Sequence, residues 1–237
     1  EQTICVSKDE YRKLKTAGIK STNLNAIYNG VPDQEFSTDE AHRKLSLSPN
    51  LPVIGCVARL EQPKGIEYLI KACGILIERG IAVQLVLIGW GSEEYRLRKI
   101  ASEYPNLPVV FTGALEETGP YYKLFNLYVQ PSLVEPLGIT AIEAMRAGLP
   151  VIASQVGGLA ELVIDNETGV LIPPGNADAI SEAIRKLLED QALAQKMGQA
   201  GRKRFLNYFM VEQTTRKTVE VYEKALKYSD GITIFPG

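Results

Sequence analysis

Short apolar runs alternate with longer amphipathic segments along most of the chain. The run Pro52–Ala58 has no polar side chain, and the run Val83–Ile88 has only one, Gln84. Such runs are typical of strands buried on both faces of a parallel sheet. Between them, Gly65–Arg79 has apolar residues at helical spacing and is followed by Gly80, which predicts a helix. Shorter runs predict further strands at Ile4–Ser7, Asn25–Tyr28, Val109–Phe111, Leu127–Gln130, Val151–Ala153 and Val170–Ile172.

The remaining amphipathic segments predict helices between and after these strands. They are Lys8–Ala17, a charged helix that ends near Glu103, Tyr121–Phe125, Gly138–Ala147, one or two turns at Leu159–Ile164, Ala177–Glu189, Ala192–Tyr208 and Val211–Lys227. This alternation predicts an α/β fold, a Rossmann-like parallel sheet with helices on both faces. Ligands of such sheets bind outside the carboxyl ends of the strands. The candidate chemistry therefore belongs to the loops 59–65, 89–92, 112–118 and 131–138.

Composition places the chain among ordinary globular proteins. It has 237 residues, of which 45% are apolar and 23% charged, with a net charge of −2 and no basic block, so a nucleic-acid partner is not favoured. No apolar run approaches the roughly 20 residues that span a bilayer. The N-terminus resembles no signal peptide and lacks an initiator Met, so we expect a piece of a longer protein or a processed form. The three cysteines form no C-x-x-C and are expected to be buried thiols, which favours a cytoplasmic location.

Two glutamates, Glu135 and Glu143, lie eight positions apart in one run rich in Pro and Gly. The run predicts the end of a strand, a tight loop that contains Glu135, and a helix that contains Glu143. Unpaired amides at a helix N-terminus favour an anion, and here they would belong to Leu137, Gly138 and Ile139. Two acceptors for hydroxyl groups thus flank an anion site, which suits a sugar nucleotide. The alternative for Glu135 is an acidic residue that caps the helix.

Two basic residues, Arg59 and Lys64, follow the strand Pro52–Ala58 at the end of the sheet where ligands bind. A guanidinium fork and a lysine ammonium are common partners of a diphosphate. The alternative is a solvated surface pair.

Glycine turns follow two other strands. The turn Gly89-Trp90-Gly91 lacks the third glycine of the dinucleotide fingerprint and the acidic residue about 20 positions further on, so an NAD site is poorly supported. Gly89 is either a ligand contact or part of a tight strand-to-helix turn. Gly157 and Gly158 indicate either a close approach of the backbone to a neighbour or ligand, or a plain turn.

The chain offers few groups for hydrolytic or metal chemistry. His42 is the only histidine, and its polar surroundings predict a surface position. With a single histidine, neither a His-based triad nor a His/carboxylate metal set is indicated, so hydrolase and metalloenzyme functions lose their main ingredients and we predict no metal site.

Together these segments resemble the retaining glycosyltransferases of family 4, also called group 1, which have the two-domain GT-B architecture. Each motif alone is weak, but their order and spacing over nearly the whole chain are specific. The motifs are Ile27-Tyr-Asn-Gly-Val31 with Phe36, Ala58-Arg-Leu-x3-Lys-Gly65, the Gly89/Gly91 turn, Phe111-Thr-Gly113, Pro131-Ser132, Glu135-x7-Glu143-Ala-Met, Pro150-Val-Ile-Ala-Ser154, Gly157-Gly-Leu-Ala-Glu161 and Thr168-Gly169. Ala58, Asn126 and Leu137 stand where the family commonly has Gly, Asp and Phe.

The resemblance implies roles for matching positions. Arg59 and Lys64 would hold the donor diphosphate, and Glu135 would bind sugar hydroxyls near the reacting carbon, so these three are the expected catalytic residues. The alternative role for Glu135 is a covalent nucleophile. Glu143 would bind the ribose, and Leu115 and its neighbours would face the base. The remaining expected donor contacts are Leu137, Gly138, Ile139 and Gly89. Such enzymes usually need neither a metal nor another cofactor.

The resemblance also implies a domain organisation. Residues 1–30 would be a remnant of an N-terminal domain with the hinge, residues 31–228 the C-terminal nucleotide-sugar-binding domain of a GT-B enzyme, and residues 229–237 a tail. The acceptor would bind through the missing N-terminal domain, which leaves peripheral membrane contact open. The expected function is retaining transfer of a hexosyl group from a UDP-, GDP- or ADP-sugar, with this fragment alone inactive. The alternatives are a non-catalytic sugar-nucleotide-binding module and a sugar-nucleotide epimerase on the same fold.

Overall fold

The computed structural model describes residues 2–227, apart from the side chains of Glu40, His42 and Lys227. The predicted surface position of His42 and the predicted tail 229–237 lie outside the described part. The helices and strands in chain order are β1 (Thr3–Cys5), α1 (Lys8–Thr16), β2 (Leu24–Ala26), α2 (Asp39–Lys44), β3 (Val53–Val57), α3 (Ile66–Glu78), β4 (Gln84–Ile88), α4 (Glu94–Ser102), β5 (Val109–Phe111), α5 (Gly119–Tyr122), β6 (Leu127–Gln130), α6 (Ile139–Arg146), β7 (Val151–Ser154), α7 (Leu159–Leu162), β8 (Gly169–Ile172), α8 (Ala177–Glu189), α9 (Gln191–Tyr208) and α10 (Val211–Lys227).

Six of the described strands form one parallel sheet in the order β5-β4-β3-β6-β7-β8. The strand order reverses between β3 and β6, which pair with Ile54 opposite Leu127. Sheets of this kind leave a crevice at the carboxyl ends of the two strands where the order reverses. The predicted Rossmann-like sheet is confirmed, and the reversal places the loops 59–65 and 131–138 side by side.

Helices cover both faces of the sheet because successive strand residues point to opposite sides. On β3, Ile54 and Cys56 pack into the core beneath α3 and α8, whereas Val53 and Val57 pack into the core beneath α6 and part of α9. The buried strands explain the continuous apolar runs of the sequence. All three cysteines are buried free thiols, as predicted.

The strands β1 and β2 form a separate two-stranded parallel sheet, and α1 connects them. Glu161 of α7 joins this segment to the main body. Its carboxylate accepts hydrogen bonds from the amides of Lys8 (2.9 Å) and Asp9 (2.6 Å) and from the hydroxyl of Tyr28 (2.8 Å). Burial and this hydrogen bond raise the pKa of Tyr28 to about 12, so its hydroxyl remains a donor at neutral pH.

The structure differs from the predicted elements mainly at helix ends. Helix α2 was not predicted, because Asp39–Lys44 has only one apolar residue, Ala41, and therefore no apolar periodicity. The short helix predicted at Tyr121–Phe125 instead spans Gly119–Tyr122. Helix α6 begins at Ile139 because Gly138 adopts a left-handed conformation with φ 103°.

Candidate active site

A cavity of about 340 Å³ opens at the carboxyl ends of β3 and β6, at the reversal of the strand order. This volume lies within the range of small-molecule sites. Thirteen residues line it: Val6, Asn29, Val57, Ala58, Arg59, Lys64, Gln130, Glu135, Pro136, Leu137, Gly138, Ile139 and Thr140. The structure therefore brings together Arg59, Lys64, Glu135 and the segment 137–139, which were predicted from separate parts of the sequence.

Backbone contacts hold the two loops of this cavity against each other. Gly65 has φ 62°, and a Cβ at this position would lie 2.2 Å from the carbonyl oxygen of Pro131. The amide of Leu133 donates a hydrogen bond of 2.8 Å to the carbonyl oxygen of Pro63. Lys64 is thus placed beside the second loop by a contact that only glycine permits at position 65.

Gly157 and Gly158 support the second loop from its other side. A Cβ on Gly157 would lie 2.0 Å from the carbonyl oxygen of Glu135, and one on Gly158 would lie 2.4 Å from the Cα of Leu137. The amide of Gly158 also donates a 3.1 Å hydrogen bond to the Glu135 carbonyl. Of the two roles left open by the sequence, the structure shows a close approach to a neighbouring backbone.

The Glu135 carboxylate is buried, and its two oxygens have different surroundings. Oε2 accepts hydrogen bonds from Lys64 Nζ (2.7 Å), Gln130 Nε2 (2.8 Å) and Ser132 Oγ (3.1 Å). Oε1 accepts none from any group in residues 2–227. The side chains of Lys64 and Glu135 are only 16% and 8% exposed, so the pair is shielded from solvent and its attraction is stronger than that of a surface pair. The protein thus holds Oε2 of Glu135, whereas Oε1 remains available to accept a hydrogen bond from a ligand.

Donors without a partner among the described residues also line the cavity. Arg59 is exposed, and its guanidinium forms no ion pair or hydrogen bond with any group in the described part of the chain. Among the same residues, no hydrogen bond has the amide of Leu137, Gly138 or Ile139 as its donor. These amides precede or begin α6, where the helix dipole adds positive potential. The cavity therefore suits an anion.

Glu143 lies on α6, half-buried and outside the set of residues that line this cavity. The hydroxyl of Tyr122 donates to its Oε2 at 2.8 Å and lies 3.1 Å from the carbonyl oxygen of Thr140. Burial, with smaller contributions from Tyr128 and Glu143, raises the pKa of Tyr122 well above its usual value, so the hydroxyl stays protonated and orients the carboxylate. A ribose contact of Glu143 remains a prediction.

Leu115 and Gly89 lie outside the first cavity. Leu115 lines a second one of about 340 Å³ together with Ala41, Lys44, Ala114, Glu116, Glu117, Pro120 and Tyr121. Gly89 lines neither. It has φ 133°, and a Cβ there would lie 2.0 Å from the carbonyl oxygen of Ala58, so its visible role is to let the loops after β3 and β4 pack closely. Donor contacts of both residues remain predictions.

Gln130 is a site residue that the sequence analysis did not single out. It ends β6, is 2% exposed, and lines the first cavity beside Glu135. The available signal was one polar residue at the end of an otherwise apolar strand, since a buried amide must find hydrogen-bond partners.

The described residues contain no group of three or more His, Cys, Asp or Glu side chains that could hold a metal ion. The expected absence of a metal remains a prediction. In the same part of the chain, every helix is too short or too polar to cross a bilayer.

The sheet order and the cavity at its reversal define a Rossmann-like α/β domain with a candidate ligand site. Comparison with known proteins narrows this class. The family described as "Glycosyl transferases group 1" matches residues 37–204. The chain is 31% identical to the capsular polysaccharide biosynthesis glycosyltransferase CapM of Staphylococcus aureus over 242 residues, which cover 96% of this chain and 63% of CapM. The chain belongs to the group 1 glycosyltransferases.

Solved structures have the same fold. Sucrose-phosphate synthase from Thermosynechococcus elongatus superposes with a TM-score of 0.85 at 33% identity and covers 95% of this chain and 58% of its own. HepE of Anabaena, in complex with UDP-glucose, superposes with a TM-score of 0.86 at 24% identity, over 94% of this chain and 64% of its own. The GT-B relationship is confirmed. The chain spans about 60% of the length of these relatives.

Proposed function

We propose that this chain is the donor-binding half of a retaining hexosyltransferase and holds a nucleoside-diphosphate sugar in the first cavity. The observation that carries the proposal is that one cavity holds both the buried Glu135 and several donors that have no partner in the described residues, namely the Arg59 guanidinium and the amides of 137–139. The complex of HepE with UDP-glucose supports the same class of ligand. Residues 1–30 would belong to the missing domain and its hinge, as predicted from the sequence.

Arg59 and the amides of 137–139 would bind the diphosphate. The guanidinium can donate two parallel hydrogen bonds to phosphate oxygens, and the amides at the start of α6 add a fixed positive potential. As the bond between the sugar and the diphosphate breaks, negative charge develops on the leaving group. Donors already in place stabilise this charge without reorganising, which lowers the barrier to transfer. Lys64 contributes from the Glu135 side of the cavity.

Glu135 would bind the sugar through its hydroxyl groups. Its Oε2 is occupied by Lys64, Gln130 and Ser132, so Oε1 is the oxygen that can accept a hydrogen bond from a ligand. Three donors, one of them cationic, also reduce the electron density available for attack on carbon. This arrangement favours a hydroxyl ligand over a covalent nucleophile.

The far end of the ligand would extend toward Glu143 and the second cavity. Tyr122 occupies one carboxylate oxygen of Glu143, which leaves Oε1 for the ribose hydroxyls. Leu115 in the second cavity supplies an apolar wall for the base. Because protein donors offset the diphosphate charge, the transfer step needs no metal.

Transfer by a longer form of the protein tests this function. We expect a form that carries a second Rossmann-like domain to transfer label from UDP-glucose, GDP-mannose or ADP-glucose to an extract of the source cells. The anomeric configuration of the donor should be retained in the NMR spectrum of the product, while residues 1–237 alone bind the donor without transfer. Transfer by the isolated chain, or an inverted product, contradicts the proposal. Donor binding without transfer by the longer form indicates a non-catalytic binding module instead.

A further inference from the structure

We infer that Gln130 is a positioning residue that sets the direction of the Glu135 carboxylate and thereby contributes to recognition of the sugar rather than of the nucleotide. The inference rests on the proposed function and deepens it. The Gln130 side-chain amide lies between the end of β6 and the first turn of α6. Both its oxygen and its nitrogen form hydrogen bonds with other side chains.

The Gln130 amide is held in one orientation. Its Oε1 accepts a hydrogen bond from Thr140 Oγ1 at 3.1 Å, and the Tyr128 hydroxyl lies 3.3 Å from the same oxygen. Its Nε2 donates to Glu135 Oε2 at 2.8 Å. Rotating the amide by half a turn would set its oxygen against the carboxylate and its nitrogen against two hydroxyl groups, with the loss of the bond to Glu135. The network therefore transmits the position of Thr140 to Glu135.

The amide also decides which carboxylate oxygen faces the ligand. Lys64 and Ser132 approach Oε2 from the two loops, and Gln130 approaches the same oxygen from the strand. These three contacts hold Oε2 in place and leave Oε1 as the acceptor that has no partner among residues 2–227. A sugar hydroxyl that donates to Oε1 requires this orientation, whereas a diphosphate bound by Arg59 and the 137–139 amides does not touch it. The effect of Gln130 should therefore appear only in ligands that carry the sugar.

The first test compares two ligands on one variant. Gln130→Met keeps the approximate volume and removes the amide. In calorimetric titrations of residues 1–237, we expect the Kd of UDP-glucose, or of whichever sugar nucleotide binds best, to rise about tenfold, because a hydrogen bond to a charged group is lost. The Kd of the corresponding nucleoside diphosphate should change less than about twofold.

The matched control is Gln84→Met. Gln84 is equally buried at 2% exposure, but it begins β4 and so lies at the amino ends of the strands, away from the cavity. There it forms hydrogen bonds with the backbone of Ser48 and Leu51. Its replacement should lower the melting temperature without changing the ratio of the two dissociation constants. An equal change of this ratio in both variants would show that Gln130 is merely structural.

The second test is rescue by protonation. In Gln130→Glu, the new carboxyl can donate to Glu135 only when it is protonated, and two ionised carboxylates in contact repel each other. We expect the ratio of sugar-nucleotide to nucleoside-diphosphate affinity to approach that of the native chain near pH 5.5 and to fall toward that of Gln130→Met near pH 8. A ratio independent of pH overturns the inference. If the native chain binds neither ligand, the proposed function fails; if it binds both and Gln130 changes only overall stability, only this inference fails.

Discussion

Replacing Arg59 by Ala should weaken the binding of nucleoside diphosphates more than any other exposed substitution around the cavity. Its guanidinium lines the site and has no partner in the described part of the chain, so its full donor capacity is available to a ligand. A hydrogen-bonded contact to a charged group contributes about 2 kcal/mol, which corresponds to a roughly 30-fold increase in Kd. Isothermal titration of the native and Arg59→Ala chains with UDP and GDP measures this difference.

Arg216→Ala is the matched control for this experiment. Arg216 is an exposed arginine of α10 that lines neither cavity. Arg216→Ala and Arg59→Ala change the net charge by the same amount. Any loss of affinity that both variants show therefore comes from long-range electrostatic attraction. A loss of affinity confined to Arg59→Ala supports direct contact of Arg59 with the diphosphate. Equal losses of affinity in the two variants would show that Arg59 does not contact the ligand.

Gly157→Ala should destabilise the chain and disturb the cavity at the same time. Its backbone has φ 46°, and the added Cβ would lie 2.0 Å from the carbonyl oxygen of Glu135. Left-handed strain of about 1 kcal/mol and overlap with a packed backbone together predict a loss of about 3 kcal/mol in the free energy of unfolding. Urea denaturation measures this loss. Because relief of the overlap must move the loop of Glu135, the affinity for sugar nucleotides should also fall.

The control is Gly80→Ala, at a turn with φ 80° and no heavy atom within 4 Å of the added Cβ. This variant has the backbone strain without the overlap, so it should lose only about 1 kcal/mol and keep its ligand affinity. Equal losses in the two variants would mean that the contact between Gly157 and Glu135 is not important for stability.

Much of the fold follows from the sequence because the sheet is buried on both faces. Short continuous apolar runs such as Pro52–Ala58 favour a buried parallel strand, and the six predicted strands of the sheet occur within a few residues of their expected positions. The run with Glu135 and Glu143 also has the predicted loop and helix, because Gly138 marks the boundary between them. The apolar pattern does not predict helix α2, because this helix lacks an apolar stripe.

The sequence predicts several residues of the first cavity but not their contacts. Arg59, Lys64 and Glu135 were expected together, because the loops of neighbouring parallel strands meet at one edge. The ion pair between Lys64 and Glu135 joins residues 71 positions apart, and its geometry depends on the glycine contact between the two loops. The partners Gln130 and Tyr122 depend on side-chain directions that strand and helix patterns do not specify.

Thermal unfolding tests directly whether this chain holds a nucleoside-diphosphate sugar. The melting temperature of residues 1–237 is measured with UDP, GDP and ADP, each alone and as a sugar conjugate. Ligand at about 100 times its Kd adds about 2.7 kcal/mol to the free energy of unfolding, a shift that is easily measured. We expect a rise in melting temperature with at least one nucleotide and its sugar conjugate. In Glu135→Ala, the rise should be smaller for the conjugate and unchanged for the bare diphosphate. No rise with any of these ligands would mean that the chain does not bind a nucleoside-diphosphate sugar.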